Sequence, residues 1–185
     1  MCNELVTDIL NIINNSTSPA IFGWRPAAWL RVGGADAASF LQGQFTQDLR
    51  GLPAGGAAYG LWLTVKGKVL ADSFVVRGAA GGDEFWVGSY FSSAAVIRER
   101  LEAFIIADDV TVEDATTAWE GVTFFGAAAE ANAESVRAQS GAAGIGFLFR
   151  GRRGLGAAVE WILPVAARAP VWTQLAGAMT LDVSE

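Results

Sequence analysis

Two alternating runs, AYGLWLTV (Ala58–Val65) and KVLADSFVVR (Lys68–Arg77), flank Lys66-Gly67. Period-two alternation on both sides of a glycine that tolerates positive φ reads as an antiparallel hairpin. A hairpin commits its neighbours to an antiparallel sheet, and the flanking chain is consistent with one. After a Gly-rich turn at 78–83, EFWVGSY reads as a strand, FSSAAVIRERLEAF sets Ala94, Ile97, Leu101 and Phe104 on one helical face, and DDVTVED (Asp108–Asp114) alternates again. Upstream, AWLRV (Ala28–Val32) alternates and GGAD turns the chain. Asp36 is a good N-cap for a helix that carries Ala37, Phe40 and Leu41 and ends near Gly43.

From Trp119 the succession recurs: WEGVTFFG as a strand, Ala127–Gln139 as an Ala-rich helix, IGFLFRGRRGLGAAVEWILP as two strands about a basic turn, and APVWTQLAGAM as a last helix. This order predicts an α+β fold of antiparallel sheets with helices packed on one face, in split βαβ, ferredoxin-like lobes, rather than a doubly wound parallel sheet. The expected division is an N-terminal helix and linker at 1–20, one lobe at 21–116 and a second at 117–185. In the first segment Leu5, Ile9, Ile12 and Ile13 recur at helical spacing before the breaker-rich NNSTSP.

Composition narrows the chemistry. A chain of 185 residues, 52% hydrophobic and 17% charged, suits one domain or two small lobes with a real core. Thirteen basic against nineteen acidic residues give a net charge of -6, which repels a nucleic-acid backbone. MCNELVTDIL lacks a basic n-region and no apolar run is long enough to span a bilayer, so the expected location is cytoplasmic, with no membrane partner. There is no histidine and one cysteine, Cys2, which excludes Ser-His and Cys-His nucleophilic pairs. A metal site would have to use carboxylates alone, and none is expected.

The stretch FLQGQFTQDL (Phe40–Leu49) interrupts an apolar run with Gln42, Gln44, Thr46, Gln47 and Asp48. Either these groups present donors and acceptors to a ligand at a helix exit, or they satisfy nearby backbone in a polar turn. Asp72 shares a strand face with Leu70, Phe74 and Val76. If that face is buried, desolvation raises its pKa unless a cation compensates; otherwise it is an edge-strand Asp in water. Tyr59 and Trp62, on opposite faces of the preceding strand, either stack on a flat heterocycle or belong to the core. Arg150, Arg152 and Arg153 either grip an anion or crown a solvated hairpin tip. GRRGLG and GAAGIG lack the order of phosphate-cradling loops and are turns.

Three ordered blocks carry a resemblance: V-x-G-x-D-A-x-x-FLQGQ-x-T-x-D at Val32–Asp48, a G-(K/R)-V-L-A-D hairpin at Gly67–Asp72 and D-V-x-x-x-D at Asp109–Asp114. Together they make the chain resemble the folate-binding aminomethyltransferase superfamily, and within it the YgfZ-type relatives of the glycine-cleavage T-protein. The resemblance covers residues 28–114 and is looser over 119–180. The YgfZ signature K-G-C-Y-x-G-Q-E and the family's C-terminal barrel are absent from these residues.

The resemblance implies a bowl that holds tetrahydrofolate or a derivative, with aminomethyl transfer in the T-protein branch and iron-sulfur protein maintenance in the YgfZ branch. Carried onto this chain, the folate-binding residues are Gln44, Thr46, Asp48, Tyr59 and Asp72, and Asp72 is the one catalytic candidate, orienting a folate nitrogen. Where the T-protein hairpin carries paired acids this chain has Ala71-Asp72, which favours binding without catalysis. The expected partners are a folate-type small molecule and a protein, either another chain or a second copy that covers the Trp-rich surface.

Overall fold

The computed structural model describes residues 20–78, 83–154 and 156–180. The helix expected at 4–13 lies outside them. The chain divides into two compact units, Arg25–Trp119 and Met1–Trp24 with Glu120–Glu185.

The Arg25–Trp119 unit is a five-stranded antiparallel sheet. Its strands are β2 (Ala28–Gly33), β3 (Ala57–Leu63), β4 (Val69–Arg77), β5 (Phe85–Ser89) and β6 (Thr111–Asp114), in the order β3-β4-β5-β2-β6. The hairpin forms as its alternation predicts: Gly67 takes φ +74°, and Thr64 N–H donates to Lys68 O at 2.8 Å. β5 and β6 both run antiparallel to β2, which lies between them, so β5, helix α2 (Ala94–Glu102) and β6 make the split βαβ unit.

Helices α1 (Ala37–Gln44) and α2 cover one face of this sheet. Phe40, Leu41, Ile97 and Leu101 pack there against Leu30, Val32, Trp62, Ala71, Val75 and Val87. The opposite face is aromatic. Trp86 lies 5.7 Å from Trp29 and 4.8 Å from Trp119 between ring centroids, and Tyr59, Phe74 and Tyr90 continue the row at 5.1 Å spacings. Asp36 takes the N-cap position of α1 without capping it: its carboxylate accepts from Asp109 N–H at 2.8 Å, pinning the helix start to the chain that leads into β6.

The other unit is a four-stranded sheet in the order β1-β7-β9-β8, from β1 (Ala20–Trp24), β7 (Trp119–Phe125), β8 (Phe147–Arg150) and β9 (Ala158–Pro164). Helices α3 (Ala129–Gln139) and α4 (Arg168–Thr180) supply Ala133, Val136, Val171 and Leu175 to its core, against Val122, Phe124, Trp161 and Leu163. No alternating pattern marks strand β1 in the sequence. It pairs antiparallel with β7, and its Gly23 interrupts any apolar alternation because the Trp172 indole fills the space a Cβ would need.

Candidate functional site

Asp72 sits in the middle of β4 on the aromatic face, half-buried and opposite Leu61 of β3. Its Oδ2 accepts from Tyr59 Oη at 2.9 Å; its Oδ1 accepts from Ser92 Oγ at 2.5 Å and Ser89 Oγ at 3.1 Å. The two serines are held by the turn between β5 and α2. Ser89 Oγ accepts the backbone N–H groups of Phe91 (3.2 Å) and Ser92 (2.9 Å), and Ser92 Oγ accepts from Asp72 N–H (3.1 Å).

Burial pushes the Asp72 carboxyl up, but hydrogen bonds from Ser92, Tyr59 and Ser89 together outweigh it and hold the group below the ordinary carboxylate range. This corrects the expectation that a buried Asp72 has its pKa raised in the absence of a cation. Three hydroxyls do what a cation was expected to do. Nothing local marks the two serines, because GSYFSS has the pattern of a strand end and a helix cap, and Ser93 does cap α2. Their second role depends on β4 and β5 being neighbours.

The other predicted folate residues do not join this cluster. Gln44 Oε1 accepts from Arg100 Nη2 at 2.9 Å on the helix-covered side, where Arg100 also donates to Leu63 O and lies 3.9 Å over the Phe104 ring. Thr46 clips the edge strand: its N–H donates to Leu61 O at 3.3 Å and its Oγ1 accepts from Leu61 N–H at 2.8 Å. Asp48 is exposed and forked by Arg50, whose Nε and Nη2 lie 2.9 and 2.8 Å from its two oxygens; these bonds hold its pKa at about 2. Gln42, also in this stretch, accepts from Leu49 N–H at 2.7 Å. Within FLQGQFTQDL, Gln42, Thr46 and Asp48 therefore answer nearby backbone N–H groups, while Gln44 answers Arg100. Tyr59 and Asp72 are the predicted pair that meet. Trp62 is core: it is fully buried and donates from Nε1 to Ser73 Oγ at 2.8 Å.

The second unit holds a polar cluster that periodicity did not single out. Glu160, fully buried on β9, accepts through Oε2 from Thr123 Oγ1 at 2.7 Å and Trp24 Nε1 at 3.0 Å, with Arg153 Nε 4.0 Å from Oε1. Arg153 folds back over Trp24, 4.6 Å from its ring, whereas Arg150 and Arg152 are exposed at the hairpin. Glu120 is the matching buried acid on β7, accepting from Trp172 Nε1 at 2.7 Å beside Arg168. Buried carboxylates this well supplied with donors tolerate desolvation without a ligand.

Two antiparallel sheets, each with helices on one face, make an α+β fold of the aminomethyltransferase type. A family model described as the GCVT N-terminal domain matches residues 16–152, and the chain belongs to that family. Among solved structures it is similar to the glycine cleavage system aminomethyltransferase T from Bartonella henselae, at TM-score 0.63 and 19% identity, covering 87% of this chain and 46% of that one. It therefore spans less than half the length of that aminomethyltransferase. It is also similar to a chain of the heterotetrameric sarcosine oxidase from Corynebacterium sp. U-96, at TM-score 0.53 and 16% identity, covering 98% of this chain and 94% of that one. At these identities the likeness is one of fold. No curated protein matches the chain in sequence. No helix among the described residues is long and apolar enough to cross a membrane.

Proposed function

We propose that this chain is a YgfZ-like, tetrahydrofolate-binding cytoplasmic protein that orients a reduced folate without transferring carbon itself. The observation that carries the reading is the state of Asp72, an ionised carboxylate pinned by Tyr59, Ser89 and Ser92. A carboxylate offers about four acceptor directions. Three are taken by hydroxyls, and a ring N–H or exocyclic amine of a pterin would meet the remainder.

The lowered pKa argues against proton transfer by the same group. A general base works best with a pKa near the operating pH, and Asp72 moves away from it. Orientation needs only a fixed negative charge. The three sequence blocks at Val32–Asp48, Gly67–Asp72 and Asp109–Asp114 support the YgfZ-like assignment, with iron-sulfur protein maintenance as its setting.

Calorimetric titration with 5-formyltetrahydrofolate tests the reading. Saturable binding is expected, weakened about tenfold or more in Asp72→Asn and less in Tyr59→Phe, since a hydrogen bond to a charged group is worth about 1.5–3 kcal/mol. A well-folded sample that binds no folate, alone or with a partner chain, overturns the proposal. Turnover in an aminomethyl-transfer assay, abolished by Asp72→Asn, would make the protein an enzyme of the T-protein kind instead.

A second reading concerns assembly. The likeness over nearly the whole of one chain from a heterotetrameric oxidase supports a role beside other protein subunits. Light scattering that finds only monomers, with no complex after co-expression with neighbouring genes, counts against it.

A further inference from the structure

A cleft of about 490 Å³ opens in the Arg25–Trp119 unit, between α1, the 49–52 turn and the far end of β4. It lies on the helix-covered face of the sheet: Arg77 alternates with Val75 and Ala71, which are core residues of that face, whereas Asp72 points to the other. Its volume falls in the range of small-molecule sites. Leu49, Phe85 and Ala38 give it apolar walls, and Gln42 and Arg77 stand among them.

The polar groups are poised unequally. Gln42 Oε1 is committed to Leu49 N–H, which fixes the carboxamide and leaves its NH2 without an acceptor among the described residues. The Arg77 side chain donates one bond, from Nη1 to Leu52 O at 3.1 Å, while its Nε is buried without any partner. It forms no ion pair among the described residues. Arg50 also lines the cleft, but its charge is answered by Asp48. A half-buried guanidinium with unmet donors beside an apolar wall lacks one thing, an anion with a hydrocarbon body.

We infer that this cleft binds a small organic carboxylate, apolar body against Leu49 and Phe85, carboxylate on Arg77 with the Gln42 amide as second donor. The site is separate from the Asp72 cluster and does not depend on folate binding.

Octanoate is the probe and octan-1-ol its uncharged twin, titrated into the full chain by calorimetry. Octanoate is expected to bind saturably and the alcohol about tenfold or more weaker, because a charge-assisted pair is lost. Arg77→Met should weaken octanoate by a similar factor. Because Arg77 also holds Leu52, a second variant guards against misfolding: Gly43→Leu, where an added Cβ meets nothing within 4 Å, should keep the helix and obstruct the cleft it lines. Asp72→Asn should leave octanoate binding unchanged. No saturable binding, equal binding of acid and alcohol, or binding that survives both cleft variants overturns the inference.

Discussion

At the scale of single residues, the chain places its polar side chains where backbone or another side chain answers them, and Asp72 is the instructive case. Because its folded pKa lies below the ordinary carboxylate value of about 3.9, the folded state favours the ionised form. The stability this contributes is fully present above the unfolded pKa and is lost as pH falls through the folded one. Urea titrations of the wild type and Asp72→Asn should therefore differ at about pH 7 and converge as pH falls below the ordinary carboxylate value of about 3.9. A gap that stays constant across that range would mean that the carboxylate's charge is irrelevant to the cluster. The strand face of Asp72 was legible because alternation along the hairpin strand dictates which side chains share it, whereas Tyr59 was singled out as a ligand residue only by the family resemblance. Ser89 and Ser92 were not legible, since nothing local links them to a strand that precedes them by more than a dozen residues. Glu160 was hidden for the same reason: its donors, Trp24 and Thr123, come from strands distant in sequence.

At the scale of elements, the helix-covered face followed from periodicity while the aromatic face did not. Trp29 crosses the sheet onto Gly88, its partner across the β2–β5 ladder, and the indole fills the space a Cβ would take. Gly88→Ala should accordingly destabilise by about 1–3 kcal/mol, the cost of overpacking, although alanine usually suits a strand better than glycine. A shift in the urea midpoint at unchanged slope would register it; an unchanged midpoint would show that Trp29 swings aside freely. The FLQGQFTQDL stretch teaches the converse. A helix that ends within reach of an edge strand leaves backbone groups there and in the turn beyond to satisfy: Thr46 answers Leu61 N–H of the strand and Gln42 answers Leu49 N–H of the turn.

At the scale of the molecule, each unit has its own apolar core, and in the Arg25–Trp119 unit stability rests on that core rather than on charge. The ion pairs of the Arg25–Trp119 unit are surface contacts: Arg31 with Glu84 and Glu113, Arg50 with Asp48, and Arg98 with Glu102 are all substantially exposed. Such pairs are screened by salt and contribute little. Raising sodium chloride from about 0.1 to about 0.5 M should move the unfolding free energy by less than about 1 kcal/mol; a loss of several would reveal a charged network that dominates stability. The α+β class, the hairpin, both helices of the Arg25–Trp119 unit and the face Asp72 occupies were all readable from residue order, because hydrophobic periodicity and turn chemistry act over a few neighbouring residues. The pairing of β1 with β7, the hydroxyl cage around Asp72 and the separation of Asp48 from it required the folded chain. Each depends on segments that become neighbours when the strands assemble, and no short-range pattern encodes which distant donor will meet which acceptor.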